Sequence, residues 1–120
     1  MAAVKLVSLT KEYQNGENYI RAVDDVSFSI KEGEFIAVIG ASGSGKSTLI
    51  NLISGLEKPT HGCVYVHDVN LTKLSLEEQI SFRRWHIGVI FQKYNLIPAM
   101  NVFENIVLPA KLLERTVDEK

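Results

Sequence analysis

Residues 40–47 constrain the fold of this chain more than any other stretch. They read GASGSGKS and match the spacing G-x-x-x-x-G-K-[ST] at every position. An apolar run at residues 34–39 precedes them, and residues 46–54 follow with the pattern of a helix that ends at Gly55. Glycines let the backbone curl so that successive N–H groups point toward one anion, and the outgoing helix adds the positive end of its dipole. The sequence therefore predicts a strand, a phosphate-binding loop and a helix in that order.

The motif also assigns roles to single residues. The Lys46 ammonium can reach the β- and γ-phosphates of a nucleotide, and the Ser47 hydroxyl can ligate Mg²⁺. A turn without a ligand, between a strand and a helix, is the alternative, but a lysine and a serine in register favour the phosphate site. The predicted nucleotide-binding residues of this segment are Gly40, Ala41, Ser42, Gly43, Ser44, Gly45, Lys46, Ser47 and Thr48.

The composition narrows the class of protein without indicating an activity. Hydrophobic residues make up 46% and charged residues 22% of the 120 residues, which is ordinary for a globular domain. A net charge of −1 argues against a nucleic-acid partner, because it produces no basic surface field. The one cysteine, Cys63, excludes an internal disulfide framework and suits a reducing cytosol, and we expect it to be a packing residue.

Periodicity and capping signals outline the other elements. The predicted strands cover residues 4–9, 19–30, 34–39, 63–66 and 87–91, and the predicted helices cover 46–54, 75–85 and 102–114. Asn15-Gly16 predicts a turn between the first two strands. The strands before the glycine-rich loop are antiparallel in character and those after it alternate with helices. The expected class is therefore α/β with an added antiparallel β portion.

The last residues carry a further helix signal. Residues 116–119 read TVDE, which is a capping box and predicts a helix that begins at Val117, close to the last residue. We expect from this that the chain is the N-terminal part of a longer protein.

The segments that flank the loop indicate a family. The chain resembles the ATP-binding cassette (ABC) family over nearly its whole length, through LTKEY at 9–13, VDDVSFSIKEGEF at 23–35, KPTHG at 58–62 and IGVIFQ at 87–92. NLIP at 95–98 and ENIVLP at 104–109 are similar to a narrower group, the lipoprotein-releasing and macrolide-exporting transporter ATPases with a cell-division relative. At Asp68 relatives often carry a glycine, and we expect the aspartate to tolerate the left-handed conformation there.

The resemblance implies a fold and two more site residues. It implies a P-loop NTPase fold of the ABC type, with residues 1–120 as the N-terminal portion of one nucleotide-binding domain: β subdomain, P-loop, Q-loop and the start of the helical subdomain. Tyr13 would stack on adenine, although a tyrosine at a strand end is otherwise a packing residue. Gln92 would approach Mg²⁺ and the attacking water and so act with Lys46 in catalysis, although it is otherwise a polar loop residue.

The family's later motifs do not occur in this sequence. The signature segment Leu-Ser-Gly-Gly-Gln, the strand that ends in Asp-Glu and the switch histidine are all missing. These groups supply water activation and charge stabilisation in phosphoryl transfer. We therefore expect the C-terminal half of the domain to be absent, and the 120-residue chain to bind nucleotide weakly at best without hydrolysing it.

The expected function is that of an ATP-binding subunit of an ABC transporter, with ATP and Mg²⁺ as cofactors. The resemblance implies transmembrane permease subunits and a second copy of the ATPase domain as partners, a cytoplasmic position on the inner face of the cell membrane, and export of a peptide, drug or lipoprotein. Two alternatives stay open: an ABC protein that acts in cell division, translation or repair, and a nucleotide-binding remnant that does not hydrolyse ATP.

Overall fold

A computed structural model describes residues 1–113 of the chain. Contacts divide it into a first unit, Met1–Gln79, and a second unit that begins at Ile80. The first unit contains the strands β1 (Ala2–Asn15), β2 (Asn18–Lys31), β3 (His61–Val66) and β4 (Val69–Asn70), the helix α1 (Lys46–Ile53) and a short 3-10 helix, Leu71–Lys73. The helix α2 (Leu76–His86) includes the boundary between Gln79 and Ile80, and the second unit contains α3 (Val102–Leu112).

The first unit is built on one antiparallel sheet with the strand order β2-β1-β3-β4. β1 and β2 form a long hairpin in which Asn15 pairs with Asn18, so Gly16 and Glu17 are the loop. Gly16 has a φ of 63°, a left-handed conformation that glycine adopts without strain. The predicted turn is confirmed, although both strands continue further toward it than the hydrophobic pattern indicates.

Two bulges explain the weak alternation of residues 4–9. Ser8 and Asp25 have φ values of 45° and 46°, and the pairing register shifts between Leu6 and Leu9. An extra residue reverses which face the following side chains take, so Leu6 and Leu9 are both buried although they are three residues apart. The displaced amides find side-chain acceptors, since the Ser8 N–H donates to Ser27 Oγ (2.8 Å) and the Asp25 N–H donates to Thr10 Oγ1 (3.0 Å).

The core of the first unit lies between this sheet and the elements that follow the glycine-rich loop. Its buried apolar side chains come from β1, β2 and β3, from α1 and from the 3-10 helix: Leu6, Leu9, Val23, Leu52, Val64, Val66 and Leu71. Cys63 is half-buried, as expected of a packing residue. The loop therefore leads from the hairpin into a helix that is held against the sheet.

The prediction of two buried strands at 34–39 and 87–91 is wrong for this structure. Neither stretch forms regular secondary structure, and within residues 1–113 neither pairs with a strand. Phe35 and Ile90 are exposed over 95% and 101% of their surface. An apolar run indicates a strand that is covered on both faces, and it becomes a strand only where neighbouring strands supply the ladder hydrogen bonds.

The capping signals are confirmed. α1 ends at Ile53 before Gly55, whose φ is 65°. At α2 the Ser75 N–H donates to a Glu78 carboxylate oxygen (2.7 Å) and the Glu78 N–H donates to Ser75 Oγ (3.3 Å). α3 has the predicted capping box between Asn101 and Glu104. The box at residues 116–119, and the predicted end of α3 near 114, lie outside the described residues.

Two further features of the described residues bear on the sequence predictions. Asp68 adopts a φ of 64° beside His67 at 44°, in the turn between β3 and β4, so the expected tolerance of aspartate for this conformation is confirmed. Within residues 1–113, no helix combines the length and apolarity that crossing a bilayer requires.

Candidate nucleotide-binding site

The glycine-rich loop uses left-handed backbone at two of its three glycines. Gly43 and Gly45 have φ values of 78° and 87°, and the Ser44 N–H donates to the Ala41 carbonyl (3.3 Å). Gly45 is also the N-cap residue of α1, and no side chain caps the helix there. Because the first N–H groups of a helix have no partner within it, this end of α1 presents backbone donors to the loop. An uncapped helix start with donors that point outward is suited to an anion.

Strand β2 fixes the position of this loop. A Cβ atom at Gly45 would lie inside 3.0 Å of the Ala22 carbonyl oxygen, a separation that Cβ atoms do not show, and 3.9 Å from Val23 Cγ2. At Gly43, by contrast, a Cβ atom would meet nothing within 4 Å. Gly45 is therefore required for close approach of the loop to the strand, while Gly43 is required only for its backbone conformation.

The Lys46 side chain folds back over the loop from the first turn of α1. Its ammonium donates to the carbonyl oxygens of Gly40 (2.9 Å) and Ala41 (2.6 Å) and lies 3.4 Å from Ser44 Oγ. Lys46 is half-buried, Ser47 is exposed at the next position and Thr48 is half-buried. The structure thus places a positive charge and a hydroxyl at the start of α1, beside the exposed residues Ala41, Ser42 and Gly43.

Tyr13 lies on the hairpin, on the face of the sheet that carries the loop. Lys11 pairs with Val23, which approaches Gly45, and residues opposite each other in an antiparallel pair share a face. Lys11 and Tyr13 contact the same carboxylate, that of Glu57, so Tyr13 shares this face. The sequence did not reveal Glu57, because 44 residues separate it from Tyr13 and no local pattern connects them.

Gln92 belongs to the second unit. It lies in a bend directly after residues 87–91, and its side chain is exposed. Within residues 1–113 no cluster of three or more His, Cys, Asp or Glu side chains could hold a metal ion. The oxygen ligand predicted at the loop is the Ser47 hydroxyl, and Mg²⁺ is commonly held by one or two protein oxygens together with substrate phosphates. The residues present fit a metal that arrives with a nucleotide, and the catalytic and metal roles of Gln92 stay predictions.

Comparison with known proteins identifies the family. A sequence profile described as ABC transporter matches residues 23–120. The chain belongs to the ABC transporter family. It is 46% identical over 106 residues to the uncharacterized ABC transporter ATP-binding protein MJ0796 of Methanocaldococcus jannaschii. This alignment covers 88% of this chain and 45% of that protein. A structure titled as a dimeric post-hydrolysis state of MJ0796 bound to ADP and Pi matches with a TM-score of 0.91, 44% identity and coverage of 97% of this chain and 50% of that one.

The relatives whose names state a cargo include both an importer and an exporter. The methionine import ATP-binding protein MetN of Haemophilus influenzae is 49% identical over 109 residues, 91% of this chain and 31% of that protein. The macrolide export ATP-binding/permease protein MacB of Hyphomonas neptunium is 41% identical over 107 residues, 89% of this chain and 17% of that protein. The match to the MJ0796 structure, with its TM-score of 0.91, confirms the ABC fold. The chain spans less than half the length of these curated relatives.

Proposed function

We propose that residues 40–48 bind the triphosphate of Mg-ATP, and that the chain forms the N-terminal portion of one nucleotide-binding domain of a transport ATPase. The observation that carries this proposal is the uncapped start of α1, over which the Lys46 ammonium is held by the loop's own carbonyls. A triphosphate offers this ammonium a stronger, charged acceptor in the same place.

Each part of the loop has a separate task in this proposal. The backbone N–H groups at the start of α1 donate to phosphate oxygens, and the helix dipole favours the negative charge. Lys46 contacts the β- and γ-phosphates, and the exposed Ser47 hydroxyl and Gln92 are the proposed magnesium ligands. When bound, Mg²⁺ neutralises charge on the phosphates. Tyr13 supplies an aromatic face for adenine.

Hydrolysis and transport belong to the longer protein in this proposal. The full-length ATPase hydrolyses ATP, whereas the 120-residue chain alone does not, because it lacks the carboxylate pair and signature segment. The proposed partners are transmembrane permease subunits and a second copy of the ATPase domain, and the dimeric MJ0796 structure supports the second. The protein would then lie on the cytoplasmic face of the membrane.

Export is the proposed direction, because residues 95–98 and 104–109 resemble the macrolide-exporting and lipoprotein-releasing group. Import is the second candidate, because MetN is more similar over this chain than MacB. Deleting the gene separates the two. Export predicts that the deletion strain accumulates more of a labelled macrolide at unchanged methionine uptake. Reduced methionine uptake with unchanged macrolide content would favour import.

Calorimetric titration of Mg-ATP into the full-length protein tests the nucleotide site. Lys46→Ala should weaken binding strongly, because a charge-assisted contact to phosphate is lost. Lys5→Ala is the matched control, since Lys5 is an exposed lysine of β1 outside the loop, and it should bind as the wild type does. Equal heats from Lys46→Ala and the wild type would show that Lys46 does not contact the phosphates.

A further inference from the structure

Three side chains near the end of β1 form one group around a single carboxylate. Glu57 accepts a hydrogen bond from the Tyr13 hydroxyl at Oε2 (2.8 Å) and pairs with the Lys11 ammonium at Oε1 (3.0 Å). That ammonium also lies 5.1 Å from the centroid of the Tyr13 ring, within cation–π range. Each of the three residues therefore contacts the other two, and we call Lys11, Tyr13 and Glu57 the ring clamp.

The carboxylate of the ring clamp is attached to the helix that begins in the phosphate loop. The N–H groups of Leu56 and Glu57 both donate to the Asn51 carbonyl, at 2.9 Å and 3.2 Å, so the chain stays bound to the last turn of α1. The Lys11 ammonium donates to the Lys58 carbonyl in the same segment (2.8 Å). The hairpin is thus connected to α1 at both ends of the helix, through Gly45 at its start and through the ring clamp after its end.

The contacts within the ring clamp leave part of the ring accessible. The Tyr13 hydroxyl proton is donated to Glu57, and Lys11 lies near the ring, yet Tyr13 remains 37% exposed. We infer that Lys11 and Glu57 are positioning residues that hold the Tyr13 ring for stacking of a purine base. This inference rests on the proposed nucleotide site and deepens it. Because the hydroxyl proton is occupied, the ring recognises a base by its face, so adenine and guanine bind alike.

The size of the effect follows from the freedom of an unheld ring. A tyrosine without the clamp would have to be immobilised when the base stacks on it, and this ordering weakens binding by about two- to tenfold per side chain. The loss should appear only for ligands that carry a base. Tripolyphosphate binds the loop but has nothing to stack on Tyr13.

Calorimetry on the full-length protein with Mg-ATP, Mg-GTP and Mg-tripolyphosphate tests the inference. Tyr13→Phe keeps the ring and removes its bond to Glu57, so stacking alone predicts no change, whereas the ring clamp predicts about two- to tenfold weaker binding of both nucleotides. Glu57→Ala should weaken both nucleotides similarly, and the double variant should be no weaker than either single one. Tripolyphosphate affinity should be unchanged in all three.

Arg21→Gln is the matched control. Arg21 forms ion pairs with Glu12 (2.7 Å) and Asp24 (3.1 Å) on the same hairpin without contacting the ring clamp, so its loss should leave nucleotide affinity as in the wild type. Should Glu57→Ala fail to fold, Tyr13→Phe decides alone.

Unchanged nucleotide affinity in Tyr13→Phe would overturn the inference, and so would an equal loss for tripolyphosphate, which would indicate a general disturbance of the loop. Failure of the proposed function looks different. In that case the wild type binds neither Mg-ATP nor tripolyphosphate, or Lys46→Ala binds both as well as the wild type does.

Discussion

Replacing Gly45 by alanine tests how strand β2 positions the phosphate loop. The new Cβ atom would meet the Ala22 carbonyl inside 3.0 Å, at a residue whose φ is 87°. Left-handed backbone costs about 1–2 kcal/mol for an L-residue, and inserting a methyl group into a packed contact costs about 1–3 kcal/mol. Gly45→Ala should therefore destabilise the protein by about 2–5 kcal/mol and displace the loop from β2.

Gly43→Ala separates the two contributions to this loss. Gly43 has nearly the same φ, 78°, but nothing within 4 Å of a Cβ position, so only the backbone cost of about 1–2 kcal/mol applies. Urea unfolding of the two full-length variants measures the difference, and Mg-ATP titration should show the larger loss of affinity for Gly45→Ala. Equal unfolding free energies for the two variants would refute the reasoning, because the contact with β2 would then have no energetic consequence.

Four more predictions follow from particular contacts. Tyr13→Ala should lose about 1–3 kcal/mol of ATP binding in calorimetry, since base–aromatic stacking is of this size. Tyr13→Trp keeps a stacking face and should lose only the factor of about two to ten that follows from the missing bond to Glu57; full affinity of the alanine variant would make the residue a packing residue only. The Ile97 N–H donates to Asn105 Oδ1 (2.8 Å) and the Asn105 amide donates to the Met100 carbonyl (3.0 Å), so Asn105→Ala should speed hydrogen exchange at Ile97 above all, and unchanged exchange there would contradict this role. The Ser75 backbone amide holds the pKa of Glu78 below its ordinary value, so its stabilisation of α2 is present at neutral pH and is lost as the pH falls through that lowered pKa. The protection of the amides at the start of α2, taken relative to their intrinsic exchange rate at each pH, should fall with acid in the wild type, and this part of the pH dependence should vanish in Glu78→Gln. Finally, the 120-residue chain on its own should self-associate in sedimentation, because large apolar side chains such as Phe35 and Ile90 are exposed; a monodisperse monomer would contradict this.

Much of the fold was predictable because its signals are local. Each of these signals acts within a few residues of chain. They are the glycines, lysine and serine of the loop, the capping boxes at Ser75 and Asn101, and the turn near Gly16. The left-handed turn at Asp68 is expected from the resemblance, because relatives often carry a glycine there and aspartate tolerates that conformation.

The rest depends on partners that are distant in sequence. The bulge at Ser8 is stabilised by the Ser27 hydroxyl, 19 residues away, and it changes which face of β1 is buried. Glu57 reaches Tyr13 only through the fold. The apolar runs at 34–39 and 87–91 form no strand and leave Phe35 and Ile90 exposed, because an apolar run becomes a covered strand only where a neighbouring strand pairs with it.

A crystal structure of the full-length protein with Mg²⁺ and a non-hydrolysable ATP analogue tests the central claim most directly. The account predicts that the triphosphate lies against the N–H groups at the start of α1, and that the Lys46 ammonium contacts the β- and γ-phosphates. It also predicts a purine ring on the face of Tyr13 while the Tyr13 hydroxyl still donates to Glu57. Density for the analogue elsewhere, or an occupied loop in which the Lys46 ammonium contacts no phosphate oxygen, would contradict it.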